Sequence, residues 1–248
     1  MKESNNLIYG RHSVKEALVA EQQINKIFVQ KGLNNSTIKY LVSLSKQKHI
    51  PVAYVPKTKL DKLTINGNHQ GVVLSIPVID YKKLDDVLNL AKSNNEDPLI
   101  IILDSIEDPH NLGSILRTAD AVRIHGIFIP KRHAVGLTDV VAKTSVGAVE
   151  HVPVVRVTNL VNLVKKLKEL GFWVWGTDMK GKDYRYLNAK GPTAIVVGNE
   201  GKGISRLLKQ QMDGMLNIPM IGHVQSLNAS VAASLLMYQA YNSRYPLN

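Results

Sequence analysis

Cysteine is absent from the chain, which excludes disulfides, thiolate metal sites and cysteine nucleophiles together. Acidic residues are scarce against basic ones: 20 Asp and Glu face 31 Lys and Arg, for a formal charge of +11 and a pI near 9.7. Long apolar runs are also missing. The longest, Leu99–Leu103, falls far short of the roughly 18 residues of a membrane span. The opening MKESNNLIYG has no apolar signal core. The expectation is a soluble, cytoplasmic protein without a membrane partner. The eight His are scattered, with no H-E-x-x-H and no i,i+4 pair, so no metal is expected. A G-x-S-x-G elbow is lacking too, which argues against an α/β-hydrolase.

What is present is ordinary globular composition: 248 residues, 44% hydrophobic and 21% charged. At roughly 150 residues per domain this is one to two domains. The charge is uneven. Residues 1–80 carry 11 basic and 5 acidic side chains, net +6, and residues 81–248 carry 20 and 15, net +5 over twice the length. A basic N-terminal module favours a polyanion through counterion release. Simple solubility is the alternative reading, and nucleic acid is the favoured one.

The N-terminal segment alternates element types. Ser13 can cap a helix through Ala20, and residues 24–29 read as a strand. A helix bearing Ile38, Leu41, Val42 and Leu44 follows, then strands at 51–55 and 71–76. Residues 81–97 form an amphipathic linker helix and a polar junction, which sets domain limits of 1–80 and 98–248. Beyond it, strands are expected at 99–103, 126–129, 152–155, 172–177, 193–197 and 215–218. Helices are expected at 111–122, 138–146, 159–170, 204–210 and 227–243. Short buried strands alternating with helices argue an α/β fold with a mainly parallel sheet.

Ligands of such sheets bind beyond the carboxyl ends of the strands. Three of those ends are rich in Gly and polar residues: DSIEDPHNLGSILRTADA at 104–121, VVGNEGKGIS at 196–205 and IPMIGHVQSLNASVAASLLM at 218–237. Asn111 is expected to begin a helix, with Arg117 six residues on. The spacing G-x-x-G-x-G of Gly198, Gly201 and Gly203 matches neither a dinucleotide fingerprint nor a Walker A loop. Taken alone, that loop is either a cofactor contact or a plain turn. His110 and His223 read as hydrogen-bonded loop residues.

Together the three loops resemble the three motifs of the SpoU (TrmH) family of SPOUT RNA methyltransferases: DPHNLGSILRTADA, then GNEGKGIS, then IPMIGHVQSLNASVAASL. IYGRHSVKEAL and HQGVVLSI resemble the ribosomal-protein-like RNA-binding domain carried by some members. The resemblance is closest to RlmB-type enzymes, which methylate a guanosine ribose 2′-O in large-subunit (23S) ribosomal RNA. Two positions depart from the family pattern: Arg123 stands where Gly is usual, and Ala229 where Val is common.

The resemblance implies a deep trefoil knot from about Gly198 to the last helix, S-adenosylmethionine as cofactor, and a homodimer sharing its active site. It assigns cofactor contacts to Gly198, Ile218 and Leu227, with Thr177, Asn199, Glu200, Gly203, Met220 and Ser226 beside them. The implied reaction centre is Asn111, Arg117, Ser226 and Asn228, with Glu200. A ribose hydroxyl must lose its proton to attack a sulfonium methyl, so a base or an alkoxide stabiliser is required. A guanidinium, charged at any ordinary pH, suits a phosphate clamp and stabiliser better than a base. The alternatives are a transfer-RNA methyltransferase of the same family and a non-catalytic ribosomal-RNA-binding or assembly protein. DNA is not an expected partner.

Overall fold

The computed structural model describes residues 6–20 and 22–247. The chain divides into two compact units: residues up to Asp80 together with Gly136–Asp139, and Tyr81–Val135 together with Val140–Asn248.

The first unit holds β1 (Leu7–Tyr9), α1 (Arg11–Val19), β2 (Lys26–Gln30), α2 (Ser36–Gln47), β3 (Val52–Val55), α3 (Lys57–Leu63) and β4 (Val72–Ser75). Its sheet runs β1-β4-β2-β3, parallel between β2 and β3 and antiparallel elsewhere. Alternation drives the packing: Ile27 and Val29 of β2 turn inward to meet Val14, Leu18 and Leu41 of the helices. Each such side chain contributes about 1.5–3 kcal/mol on burial. Asn35 caps α2, its Oδ1 accepting from Ile38 N at 2.9 Å. Ser13 does not cap α1. That helix begins at Arg11, after Gly10 with φ +88°, so Ser13 lies inside it. β1 and α3 were not expected; both are too short to show a period.

The second unit holds α4 (Leu84–Ser93), β5 (Leu99–Leu103), α5 (Pro109–Ala121), β6 (Gly126–Pro130), α6 (Asp139–Ser145), β7 (Val154–Val157), α7 (Leu160–Glu169), β8 (Trp173–Asp183), β9 (Thr193–Val197), α8 (Arg206–Lys209), β10 (Gly214–Asn217) and α9 (Ala229–Arg244). Its six strands are ordered β10-β8-β9-β5-β6-β7 and every pairing is parallel. β5 and β9 are buried along their whole length, which explains their unbroken apolar runs. Val87 of α4 packs into this core, and a Cβ on Gly126 would lie 2.6 Å from its side chain. None of the helices is long and apolar enough to cross a membrane among the described residues.

Two details of this unit bear on the rest of the molecule. The guanidinium of Arg244, in the last turn of α9, donates to the carbonyls of Asp97, Pro98, Ala189 and Gly191. Those carbonyls lie just before β5 and β9, so one side chain ties the entry points of both central strands. Arg123, just past α5, adopts φ +56°, the left-handed conformation that favours glycine after a helix. Its guanidinium is committed to Glu96 Oε1 at 2.9 Å. Glu96 also accepts from the buried His125, whose Nε2 lies 3.0 Å from Oε2. His125 Nδ1 accepts from Leu99 N at 3.0 Å, so the proton belongs on Nε2.

Candidate functional site

The carboxyl end of β5 delivers Asp104, buried at 6% exposure. Its Oδ2 accepts from Ser205 N at 2.8 Å and its Oδ1 from Ser105 Oγ at 3.0 Å. Asp104 thereby fastens the loop after β9 to the central strand. Within that loop Asn199 and Gly203 exchange both backbone bonds, at 2.8 and 3.2 Å. Asn199 Oδ1 accepts from Gly201 N, and its Nδ2 donates to Ser105 O. The turn is tight enough that a Cβ on Gly198 would overlap the backbone of Gly203 and Ile204. Gly198 is therefore a folding requirement of this turn, and Gly203, at φ +65°, suits it as well.

This turn presents Glu200 to two asparagines. Asn111 does not begin α5: Pro109 does, with Asp108 Oδ1 accepting from His110 N at 2.9 Å. Asn111 sits in the first turn instead and donates through Nδ2 to Glu200 Oε1 at 3.0 Å. Asn228 caps α9, its Oδ1 accepting from Ser230 N at 2.9 Å and Ser230 Oγ at 2.6 Å. That orientation leaves its Nδ2 to donate to Glu200 Oε1 at 2.8 Å and Asn111 Oδ1 at 2.9 Å. Ala229 N adds a third bond to Glu200, at 3.0 Å. One carboxylate thus joins all three loops.

Beside this triad opens a cleft of about 320 Å³. Thr177, Gly198, Asn199, Glu200, Gly203, Ile218, Met220, Ser226 and Leu227 all line it. Thr177 arrives through a break in the sheet. β8 pairs with β10 at Gly176↔Met215 and resumes at Lys182↔Leu216, so residues 177–181 leave the ladder, and Thr177, Asp178 and Met179 border the cleft. This excursion also brings Asp178, which sequence reasoning missed. A hydrogen bond from Lys209 holds the Asp178 carboxyl below the usual range.

Arg117 stands apart from this cluster. It is exposed on α5 and makes no hydrogen bond or ion pair among the described residues, so neither Asp120 nor Glu107 pairs with it. Six helical residues carry it about 9 Å along the axis and roughly 120° around it from Asn111. Within one chain it does not reach back to the triad. Its neighbour Thr118 bonds Ser234 of α9 at 2.9 Å, bolting the two helices together. Ser226 lines the cleft but is not bonded to the triad either. No group of three or more His, Asp or Glu among the described residues could hold a metal.

Apolar walls from Val197, Leu216, Ile218 and Leu227 and backbone groups from two loops make a site for a small organic molecule. Comparison with known proteins agrees. Residues 98–238 match the model of the SpoU rRNA Methylase family, and residues 7–82 match that for RNA 2′-O ribose methyltransferase substrate binding. The chain is 46% identical over 248 residues to YacO of Bacillus subtilis, named for the TrmH family of tRNA/rRNA methyltransferases, covering all of this chain and 99% of that one. It is 50% identical over 240 residues to a protein of Staphylococcus haemolyticus named for the same family, covering 96% of each. Among solved structures it resembles the SpoU methyltransferase AviRb of Streptomyces viridochromogenes in complex with AdoMet, with TM-score 0.59 and 25% identity, over 96% of this chain and 90% of that one.

Proposed function

We propose, from the premise that this chain belongs to the SpoU rRNA methylase family, that it transfers a methyl group from S-adenosylmethionine to the ribose 2′-oxygen of a guanosine in large-subunit ribosomal RNA. The observation that carries this reading is the Glu200 carboxylate, which joins Asn111, Asn228 and Ala229 at the edge of a cleft of matching size. S-adenosylmethionine supplies, when bound, a methyl group on a positively charged sulfur. Gly198, Ile218 and Leu227 would hold it through backbone groups.

The protein's own task is to seat a ribose hydroxyl against that methyl and stabilise it as its proton leaves. The Asn111–Glu200–Asn228 network fixes the edge of the site, and a rigid edge costs no reorganisation at the moment of reaction. Arg117 serves as phosphate clamp and alkoxide stabiliser, with five donors in a fixed fork. Since it does not meet the triad of its own chain, we take the active unit to be a homodimer whose protomers share each site. The half-exposed tyrosine ladder formed by Tyr238 and Tyr241 of α9 with Tyr245 just beyond it supports such a contact. We further take the turn at Gly198 through α9 to thread as a trefoil knot, as the family implies, and the protein to work in the cytoplasm.

The basic first unit and its match to an RNA methyltransferase substrate-binding family support an RNA substrate, which we take to be ribosomal rather than transfer RNA. Mapping ribose methylation in ribosomal and transfer RNA from a deletion strain tests this directly. One guanosine in 23S RNA should lose its methyl. Loss confined to transfer RNA would move the enzyme to the other substrate, and no loss anywhere would favour an assembly role.

A further inference from the structure

The two walls of the cofactor cleft differ in how firmly they are built. One is the turn after β9, whose Gly198, Asn199 and Glu200 line the cleft and which Asp104 fastens through Ser205 N. α8 follows it directly, and its Leu208 is buried in the core, so the backbone that carries Lys209 is rigidly placed. The other wall is Thr177, Asp178 and Met179, from the five residues of β8 that leave the ladder. No residue from 177 to 181 is buried, and Met179 is 71% exposed. Gly181 anchors the far end, where a Cβ would lie 2.6 Å from the backbone of Met215 and Leu216. Both side-chain hydrogen bonds of this segment among the described residues end on Asp178. Its Oδ1 accepts from Lys180 N at 2.8 Å, which shapes the turn, and its Oδ2 accepts from Lys209 Nζ. The second bond is the one that joins the loose wall to the firm one.

We propose that Asp178 and Lys209 are a positioning pair, which holds the two walls of the cleft together and so sets the affinity for S-adenosylmethionine. The proposal rests on the reading of this cleft as the methyl donor's seat and adds what keeps the seat formed. An ion pair with partners 25% and 43% exposed contributes little to global stability. Its effect on binding is larger in proportion. A wall that is already ordered in the free protein costs less to order when the ligand arrives. The Asp178 carboxyl, held low by the Lys209 and Lys180 bonds, stays charged at neutral pH, so the pair stays joined. Both acceptor oxygens are taken by the protein, and Asp178 therefore acts through the placing of Thr177 and Met179 rather than by touching the cofactor.

The test titrates the full chain with S-adenosylmethionine in a calorimeter, with thermal unfolding and amide hydrogen exchange of the ligand-free protein in parallel. Asp178→Asn and Lys209→Met should each raise Kd about three- to tenfold with Tm unchanged, and amides 177–181 should exchange faster. The double variant should lose no more than either single one, because the two residues make one bond. Lys209→Arg, which keeps the charge and a donor, should restore affinity. Methylation should show a raised KM for the cofactor and an unaltered kcat. Lys166→Met, at an exposed lysine of α7, should change nothing. Unchanged Kd in both single variants overturns the proposal, and so does a fall in Tm without a change in Kd, which would make the pair merely structural. Tighter binding by Lys209→Met would mean that the freed carboxylate meets the cofactor itself, and additive losses would mean that the two residues act separately; either result also overturns it. Failure of the wild-type chain to bind S-adenosylmethionine overturns the methyl-transfer reading instead, a result distinct from wild-type binding with indifferent variants.

Discussion

Arg117 and Asn111 share one helix, yet only Asn111 is committed to a neighbour. A guanidinium left free and exposed two turns from a hydrogen-bonded triad is available to a phosphate or to a developing alkoxide. Arg117→Ala should therefore lower single-turnover methylation by at least about 10²-fold and leave S-adenosylmethionine binding by calorimetry unchanged. Lysine keeps the charge and loses the fork, so Arg117→Lys should rescue poorly across pH 7–10. Near-wild-type Lys activity that climbs with pH would point to a base instead. At this scale the sequence was informative where chemistry sits in contiguous motifs, as with Asn111, Glu200 and Asn228. Asp178 was not legible, because its place depends on a register break between Met215 and Leu216 on another strand. The separation of Arg117 from the triad was also hidden, since six residues of spacing look close until the helix turns them apart.

Among the elements, the turn after β9 changes what one substitution means. The resemblance assigns Gly198 a cofactor contact; the geometry makes a side chain there collide first with Gly203 and Ile204 of its own loop. Gly198→Ala should accordingly destabilise the protein without any ligand, by about 1–3 kcal/mol, and weaken cofactor binding as a consequence. Denaturant unfolding of the ligand-free protein decides it, because an unchanged midpoint would return the effect to the cofactor. Arg123 follows a similar logic: the left-handed position favours glycine, and the ion pair to Glu96 offsets part of the strain. Strands and helices of the second unit were legible within a few residues because apolar runs and helical periods are long there. β1, α3 and the extension of β8 to Asp183 were not, being short or shaped by their partners.

For the molecule as a whole, acid sensitivity has an identifiable source. Burial, opposed by the Glu96 carboxylate, holds the His125 imidazole below its ordinary value. The Glu96 carboxyl is also held low: burial raises it, but the Arg123 hydrogen bond and nearby positive charge outweigh that. Both groups bind protons more readily in the unfolded chain, so stability is full above about pH 6.5 and falls as pH drops below it. Thermal midpoints from pH 8 to 5 should show this decline, and His125→Asn should flatten its upper part while costing about 1–2 kcal/mol at pH 8. The proposed sharing of each active site between protomers makes a further prediction. Arg117→Ala and Glu200→Ala chains, each inactive alone, should regain about a quarter of wild-type activity when mixed and refolded together, since half the dimers are mixed and each carries one intact site. No recovery would separate Arg117 from a partner's triad. Finally, the clamp that Arg244 places on the carbonyls before β5 and β9 sets a timetable for synthesis. At roughly 5–20 residues per second, the ribosome finishes the central strands several seconds before it adds the residue that locks their ends. Until that residue is made, the carbonyls before β5 and β9 lack the donor that joins them, and in that interval a chaperone at the tunnel exit would find most to hold.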